Sequence, residues 1–436
     1  MLEQFTTRRI FLQKGMTLLA ATSTIPTFLD ETVLAVASAD DVHRTQQPTG
    51  EDGKVLVVVQ LSGGNDGLST VIPYADDNYH RLRPVIGHDA GTVHKIDDYV
   101  GLHPNLGPVA DLIQKGKAAV VQGVGYPNPN RSHFRSMDIW QSARPEQQIE
   151  TSGWLGRYFD NTCVGCDPKV GMAIGQQLPL AMQGDRVMPL AFERPEAFRY
   201  NGPDKDRYQK LNFEAVNVPP ASGKPDLPRV RGQTTKTAIT PAGELDFLHR
   251  TAMDAQLSSD KVLQIMRQYQ TSSQYPPGEF GQGLRTVAAM IRGGLPTRVY
   301  YVSLGGFDTH ANQRNRHDQL MKQFAMGIQA FWKDMEDQKN DQRVLMMTFS
   351  EFGRRVAQNA SNGTDHGTAA PMFLFGSSVK AGLIGRYPSL ADLDQGDLKF
   401  TTDFRSVYAS ILQSWLDAPS KPVLGHQFPT LPIVWV

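Results

Sequence analysis

The 436-residue chain has no net charge, since 44 Lys and Arg balance 44 Asp and Glu. No global field therefore draws it to nucleic acid or to an acidic membrane surface, and nucleic-acid binding is set aside. It also lacks any apolar run near the ~20 residues that a membrane-spanning helix needs, so no transmembrane segment is expected. Cysteine is almost absent. The two present, Cys163 and Cys166, form a single C-x-x-C, which supplies half the ligands of a structural zinc and leaves no second pair to complete it. The surrounding Asp160, Asn161, Asp167 and Pro168 give no βαβ context for a redox centre, and a local disulfide is expected in an oxidising compartment. What is plentiful is turn chemistry. With 39 Gly, 28 Pro, 40% hydrophobic and 20% charged residues, the composition is that of a globular protein with many loops.

The first residues read as an address. Thr7-Arg8-Arg9-Ile10-Phe11-Leu12 matches a twin-arginine export signal, a mild apolar stretch runs from Met16 to Leu29, and Ala35-Val36-Ala37 is a small-x-small cleavage site. Residues 1–37 are thus expected to be a signal peptide that engages the twin-arginine export machinery. Such machinery carries folded proteins, so any metal is loadable before transit, and the product is periplasmic or secreted. Residues 38–436 are expected to form a single domain.

Lys54 to Leu61 (KVLVVVQL) is a continuous apolar, β-branched run ending in Ser62-Gly63-Gly64-Asn65-Asp66-Gly67, which suits a strand buried on both faces with a glycine turn at its carboxyl end. His103-Pro104-Asn105 starts a helix with Leu106, Val109, Ala110 and Ile113 on one face, and Ala118 to Val124 is a second strand. From 167 to 242 there is little sustained period, and this stretch reads as an irregular insertion. Helical spacing returns over 244–270 and again at Leu284, Val287, Ala288 and Ile291. Arg298 to Leu304 reads as a strand, Asp318 to Glu336 as a crossover helix with Leu320, Phe324, Ile328, Phe331 and Met335 in one stripe, Arg343 to Thr348 as the next strand, and Met372 to Gly376 as another. The alternation predicts an α/β fold with a mostly parallel central sheet and helices on both faces. The loops after these strands carry acids and imidazoles, where open α/β sheets place ligands.

Five motifs occur in order: Leu61-Ser62-Gly63-Gly64-Asn65-Asp66-Gly67, Arg131-Ser132-His133-Phe134, Gly306-Phe307-Asp308-Thr309-His310, Ser350-Glu351-Phe352-Gly353-Arg354 and Thr364-Asp365-His366-Gly367. Together they resemble an exported domain-of-unknown-function family, number fifteen-oh-one, which is grouped with the alkaline phosphatase and sulfatase superfamily. The resemblance covers essentially the whole mature chain. It implies an alkaline-phosphatase-like fold and a divalent metal centre at strand ends, with a hydroxyl nucleophile bridging metal and substrate. Carried over by position, Asp66 resembles the first-strand ligand, Asp308 and His310 the acid and imidazole of one metal, and His366 with Asp365 the late ligands. Glu351 stands where the superfamily has an Asp-His pair, and its neighbour is Phe352, so one imidazole is missing there.

That departure leaves the ion open. Asp66, Glu351 and Asn65 would make an oxygen-rich site suited to magnesium, calcium or manganese, whereas Asp308, His310 and His366 make a mixed site suited to zinc. Ser132 beside His133 resembles a nucleophile loop, with Ser69 and Thr70 as competitors, because a hydroxyl needs a metal or an adjacent base to act. Arg131, Arg354 and Arg355 are candidates to bind an anion. Each group also has an ordinary structural role open to it: Asp308 and Asp365 suit Asx turns, Glu351 suits a pair with Arg354 or Arg355, and His103 and His317 suit a helix start or the surface. Two functions remain: a metal-dependent hydrolase of small phosphate or sulfate esters, or a non-catalytic exported binding or assembly protein that keeps the fold.

Overall fold

The computed structural model describes residues 53–145, 148–163, 168–187, 189–194 and 260–435. The expected signal peptide, Cys166 and most of the stretch read as irregular lie outside them. Nine strands form the central sheet: β1 (Val55–Ser62), β2 (Ala118–Gly125), β3 (Gly171–Ile174), β4 (Leu190–Phe192), β5 (Val299–Gly305), β6 (Val344–Phe349), β7 (Ala370–Phe375), β8 (Gly382–Ile384) and β9 (Thr402–Asp403). Their order is β8-β2-β7-β6-β1-β5-β3-β4, with β9 also beside β2. β1 lies parallel between β5 and β6, and β3 continues parallel to β5. β7 alone runs antiparallel to its two neighbours, β2 and β6. The sheet is mixed and mostly parallel, as the alternation predicts.

β1 shows why these residues make a central strand. Val55, Val57, Val59 and Leu61 face one apolar layer, and Leu56 and Val58 face the other. A strand covered on both faces needs an apolar residue at every position, not at alternate ones. On the first face lie α1 (Gly107–Gln114), α4 (Glu279–Arg292) and α5 (Gln313–Asp337), and on the second α2 (His133–Ser142), α3 (Trp154–Thr162) and α6 (Phe404–Ser414). The predicted stripe of α5 is buried throughout, at Leu320, Phe324, Ile328, Phe331 and Met335. α5 begins five residues before the expected Asp318, because its first turn is polar and Gln313 is buried there by hydrogen bonds that apolar period does not reveal.

One expectation differs from the fold. The stretch read as irregular from 167 onward supplies β3 and β4 to the sheet edge. Strands of four and three residues are too short to display a period. Of the expected helices over 244–270, the described part is helical at 260–268. Cys163, at the end of α3, is buried and disulfide-bonded.

Because β7 runs antiparallel, its amino end shares an edge with the carboxyl ends of β1, β5 and β6. Four loops therefore meet at one rim: 63–66 after β1, 306–310 after β5, 350–354 after β6, and 364–366 before β7. Their contact is tight. Gly63 has φ +114°, and a Cβ there would sit 2.5 Å from the Asp308 backbone nitrogen and 2.9 Å from Phe307. Gly63→Ala is therefore expected to lower stability by about 1–3 kcal/mol from backbone strain alone, read as a lower midpoint in a denaturant titration. An unchanged midpoint would show that the loop can move aside.

Candidate metal centre

Arg354 ties the rim together. Its buried guanidinium donates to the carbonyls of Gly64 (2.7 Å), Thr364 (2.9 Å), Phe307 (3.0 Å) and Gly63, and to Asp308 Oδ1 (2.7 Å). Its Nε, Nη1 and Nη2 each donate within three loops of the protein itself and its side chain is buried, so it is not turned to a substrate. Its charge and hydrogen bond outweigh the effect of burial on Asp308 and hold that carboxyl down at about 2. Asp308 thus stays ionised while half exposed.

Around Asp308 stand three imidazoles. His310 Nε2 is 3.0 Å and His366 Nε2 is 3.3 Å from Asp308 Oδ1, and His133 Nε2 is 3.5 Å from Oδ2. His310 comes from the loop after β5, His366 from the loop before β7, and His133 from the first turn of α2. Each ring has an acceptor on its other nitrogen. His133 Nδ1 is 2.9 Å from Glu351 Oε1, His366 Nδ1 is 2.8 Å from the Arg131 carbonyl, and His310 Nδ1 is 3.4 Å from Asp365 Oδ1. Carbonyls and carboxylates only accept, and Asp308 faces each Nε2 as an acceptor as well, so an ion on Nε2 would leave the ring hydrogen on Nδ1, directed at its own acceptor. This is the orientation that outer-shell acceptors impose on metal-binding histidines.

One consequence is electrostatic. His310 Nε2 and His366 Nε2 lie 2.9 Å apart, a contact that needs a ring hydrogen, an added proton or a metal ion between the two nitrogens. Burial pushes the His366 imidazole below its usual range, which works against the proton. Ligand atoms of His133, Asp308 and His366 all lie within 4.8 Å of one another. Two nitrogens and one carboxylate, with His310 Nε2 beside them against Asp308 and His366, form a donor set that suits zinc better than calcium or magnesium.

The remaining residues singled out from the sequence are placed elsewhere. Asp66 is fully buried and caps the helical turn Gly67–Thr70 through the Leu68 amide. Its Oδ2 takes Arg83 Nη1 at 2.5 Å, Ser69 Oγ at 2.8 Å and the Gln313 amide. Burial raises its pKa, but Arg83 overrides that and holds it well below the usual range. Ser69 is spent in that network. Asn65 is buried too, its Oδ1 accepting from Thr70 Oγ1 at 3.1 Å and meeting His317 Nε2 at 3.2 Å. The oxygen-rich set of Asp66, Glu351 and Asn65 is therefore not brought together. Glu351 is buried and turned toward His133, and Asp365 is exposed, holding His310 and accepting from Asn359 Nδ2 at 3.1 Å. Arg131 is at the surface, its guanidinium paired with the buried Asp397. Ser132 is exposed at the start of α2, and its hydroxyl makes no capping hydrogen bond.

A second cluster, His88, His103 and Asp318, has ligand atoms equally close, but its hydrogen bonds run the other way. The Asn105 amide donates to His103 Nδ1 at 3.0 Å, which puts the ring hydrogen on Nε2, facing Asp318 Oδ1 at 2.8 Å. To bind an ion there, His103 would have to lose that hydrogen and become an anion. Arg83 and Gln313 had no local sequence signal: they reach Asp66 from 17 and 247 residues away.

The fold is thus a mixed α/β sheet with a His and carboxylate cluster at one rim. The chain belongs to the family described as "Protein of unknown function (DUF1501)", whose model matches residues 53–414. No curated protein matches it significantly. Among solved structures it is similar to the lipoteichoic acid synthase LtaP from Listeria monocytogenes, with 9% identity over 80% of this chain and 72% of that one and a TM-score of 0.35. It is similar to the PsFucS1 sulfatase from Pseudoalteromonas sp., with 8% identity over 90% and 73% and a TM-score of 0.34. A protein in the alkaline phosphatase superfamily from Vibrio parahaemolyticus has 8% identity over 82% and 70% and a TM-score of 0.31.

Proposed function

We propose that this chain is an exported, zinc-dependent hydrolase of phosphate or sulfate esters. The observation that carries the reading is the convergence of three Nε2 atoms, each with its Nδ1 held by an acceptor, on the ionised Asp308. His133, His310, His366 and Asp308 would hold the ion. Bound there, zinc would supply Lewis acidity to an ester oxygen and acidify a nearby hydroxyl or water. The motif resemblance supplies the ester class, and the uncharged, uncapped hydroxyl of Ser132 is the assigned nucleophile. Ser132 lies one residue from His133 and is not consumed by the helix it precedes. Its amide is fixed by Asn130 Oδ1 at 2.8 Å. Arg131, whose carbonyl faces His366 and whose exposed guanidinium pairs with Asp397, is the arginine assigned to meet the anion by leaving that pair; Arg354, spent inside, is assigned to holding the loops.

Elemental analysis of the purified protein, with a panel of phosphomonoesters, phosphodiesters and sulfate esters, tests the reading. Stoichiometric zinc with turnover of one ester class is expected; zinc without any turnover would favour a non-catalytic binding role. Ser132→Ala is expected to keep zinc and lose at least ~10³-fold in kcat, the scale on which removal of a nucleophile acts. His88→Gln is expected to leave zinc content unchanged, since both ring nitrogens of His103, its neighbour in that cluster, are already committed. Export rests on the amino-terminal motif: replacing Arg8 and Arg9 together by Lys should retain the protein in the cytoplasm, and continued export would remove that part of the proposal.

A further inference from the structure

Glu351 has a buried carboxylate whose ring partner is His133. It is 2% exposed and lies two residues after β6. Oε1 accepts from the Gly63 amide at 2.8 Å and from His133 Nδ1 at 2.9 Å, and Oε2 takes Ser350 Oγ at 3.3 Å. Among the described residues no Lys or Arg pairs with it, and Arg354, three residues on, is turned to Asp308 and four carbonyls. A buried carboxylate with only neutral donors is costly unless positive charge reaches it by another route. The one ionisable group it touches is the ring of His133. The same residue's backbone carbonyl also accepts from Ser136 Oγ, one turn along α2. Glu351 thus grips the first turn of the helix at two points, one of them the ring itself.

We propose that Glu351 is a positioning residue that acts on the metal through His133 and is not itself a ligand. Its carboxylate fixes the hydrogen of His133 on Nδ1, aims Nε2 at Asp308, and makes the ring a stronger donor, so that an ion on Nε2 balances the buried charge across the imidazole. The proposal rests on the metal-centre reading above, and deepens it by separating the residues that touch the ion from the one that orients them. The other two rings are held by weaker means, a neutral carbonyl for His366 and the exposed Asp365 for His310. His133 is the ligand whose strength depends most on its holder.

The test is a double-mutant cycle on the full chain, with zinc alone as the probe and affinity read by chelator competition. Glu351→Gln is expected to weaken zinc binding by ~10–100-fold, the range for outer-shell partners of a ligating histidine. In a His133→Ala background the same change should alter affinity by less than about twofold, because residues that act through one group are not additive. Circular dichroism and the melting midpoint confirm the fold of each variant; should Glu351→Gln not fold, Glu351→Asp, whose shorter arm withdraws from Nδ1, takes its place. Full additivity in the cycle, or wild-type affinity in the single variant, overturns the proposal while leaving the metal centre standing. A wild-type protein that takes up no zinc overturns both.

Discussion

His366→Ala is expected to weaken zinc binding by more than ~100-fold, beyond the range for an outer-shell residue, while the protein melts within a degree or two of the parent. The asymmetry follows from where the side chain is anchored. The ring is hydrogen-bonded by the Arg131 carbonyl and the cluster itself and lies against the Phe352 ring, on a partly exposed loop before β7. Its removal frees a carbonyl that water can satisfy, so little folding energy depends on it. The ion, by contrast, would lose the nitrogen nearest to the His310 ring. The short Nε2 to Nε2 approach would disappear with it, and the remaining ring would lose its reason to share a cation. Equilibrium dialysis with zinc, on protein first stripped with a chelator, measures the effect. Parental affinity in this variant would remove His366 from the ligand set and, with it, the electrostatic argument for the site. A matched loss of affinity and of melting temperature would assign it to the fold.

The sequence makes the centre of this sheet readable and its margins obscure, for a physical reason. β1, β2, β5 and β6 are covered on both faces along most of their length, so burial leaves long, largely apolar runs. β3 and β4, at the edge, leave too few residues to register. The direction of β7 is not written in its residues at all. A strand's composition is the same either way, and only the path of the preceding loop places Asp365 and His366 at the rim and not at the opposite edge. His310, His366 and Asp308 are legible because each stands in a glycine-bounded loop next to an apolar run. The function of a strand-end carboxylate is not legible locally. Asp66 and Asp308 look alike in sequence, yet Arg83 reaches the first and Arg354 the second. The difference is that Asp66 is sealed with its arginine, while Asp308 keeps Oδ2 toward His133.

That contrast predicts opposite behaviour for the two acids. Asp66→Ala is expected to destabilise the protein by ~3–5 kcal/mol, the cost of leaving one partner of a buried ion pair without the other, with zinc stoichiometry of the folded fraction unchanged. Both side chains of the Asp66 and Arg83 pair are wholly buried, so water cannot replace the lost carboxylate. Arg83 would keep its bonds to the Val356 and Arg355 carbonyls at 2.8 Å, but its charge would face only Ser69 and Gln313. Acid should reproduce the loss. The Asp66 carboxyl is depressed in the folded protein below its ordinary 3.8, so its stabilising contribution is complete above that value and is lost as pH falls below it toward the depressed folded value. Removing the carboxylate should therefore flatten the fall in stability below about pH 4, as measured by urea midpoints across an acid series. Double replacement of Asp66 and Arg83 by apolar residues of similar volume should recover much of the stability, because the pair's cost lies in being broken, not in being absent. If Asp66→Ala instead kept its stability and released its zinc, the carboxylate would be a ligand, and the division of labour between the two acids would be wrong.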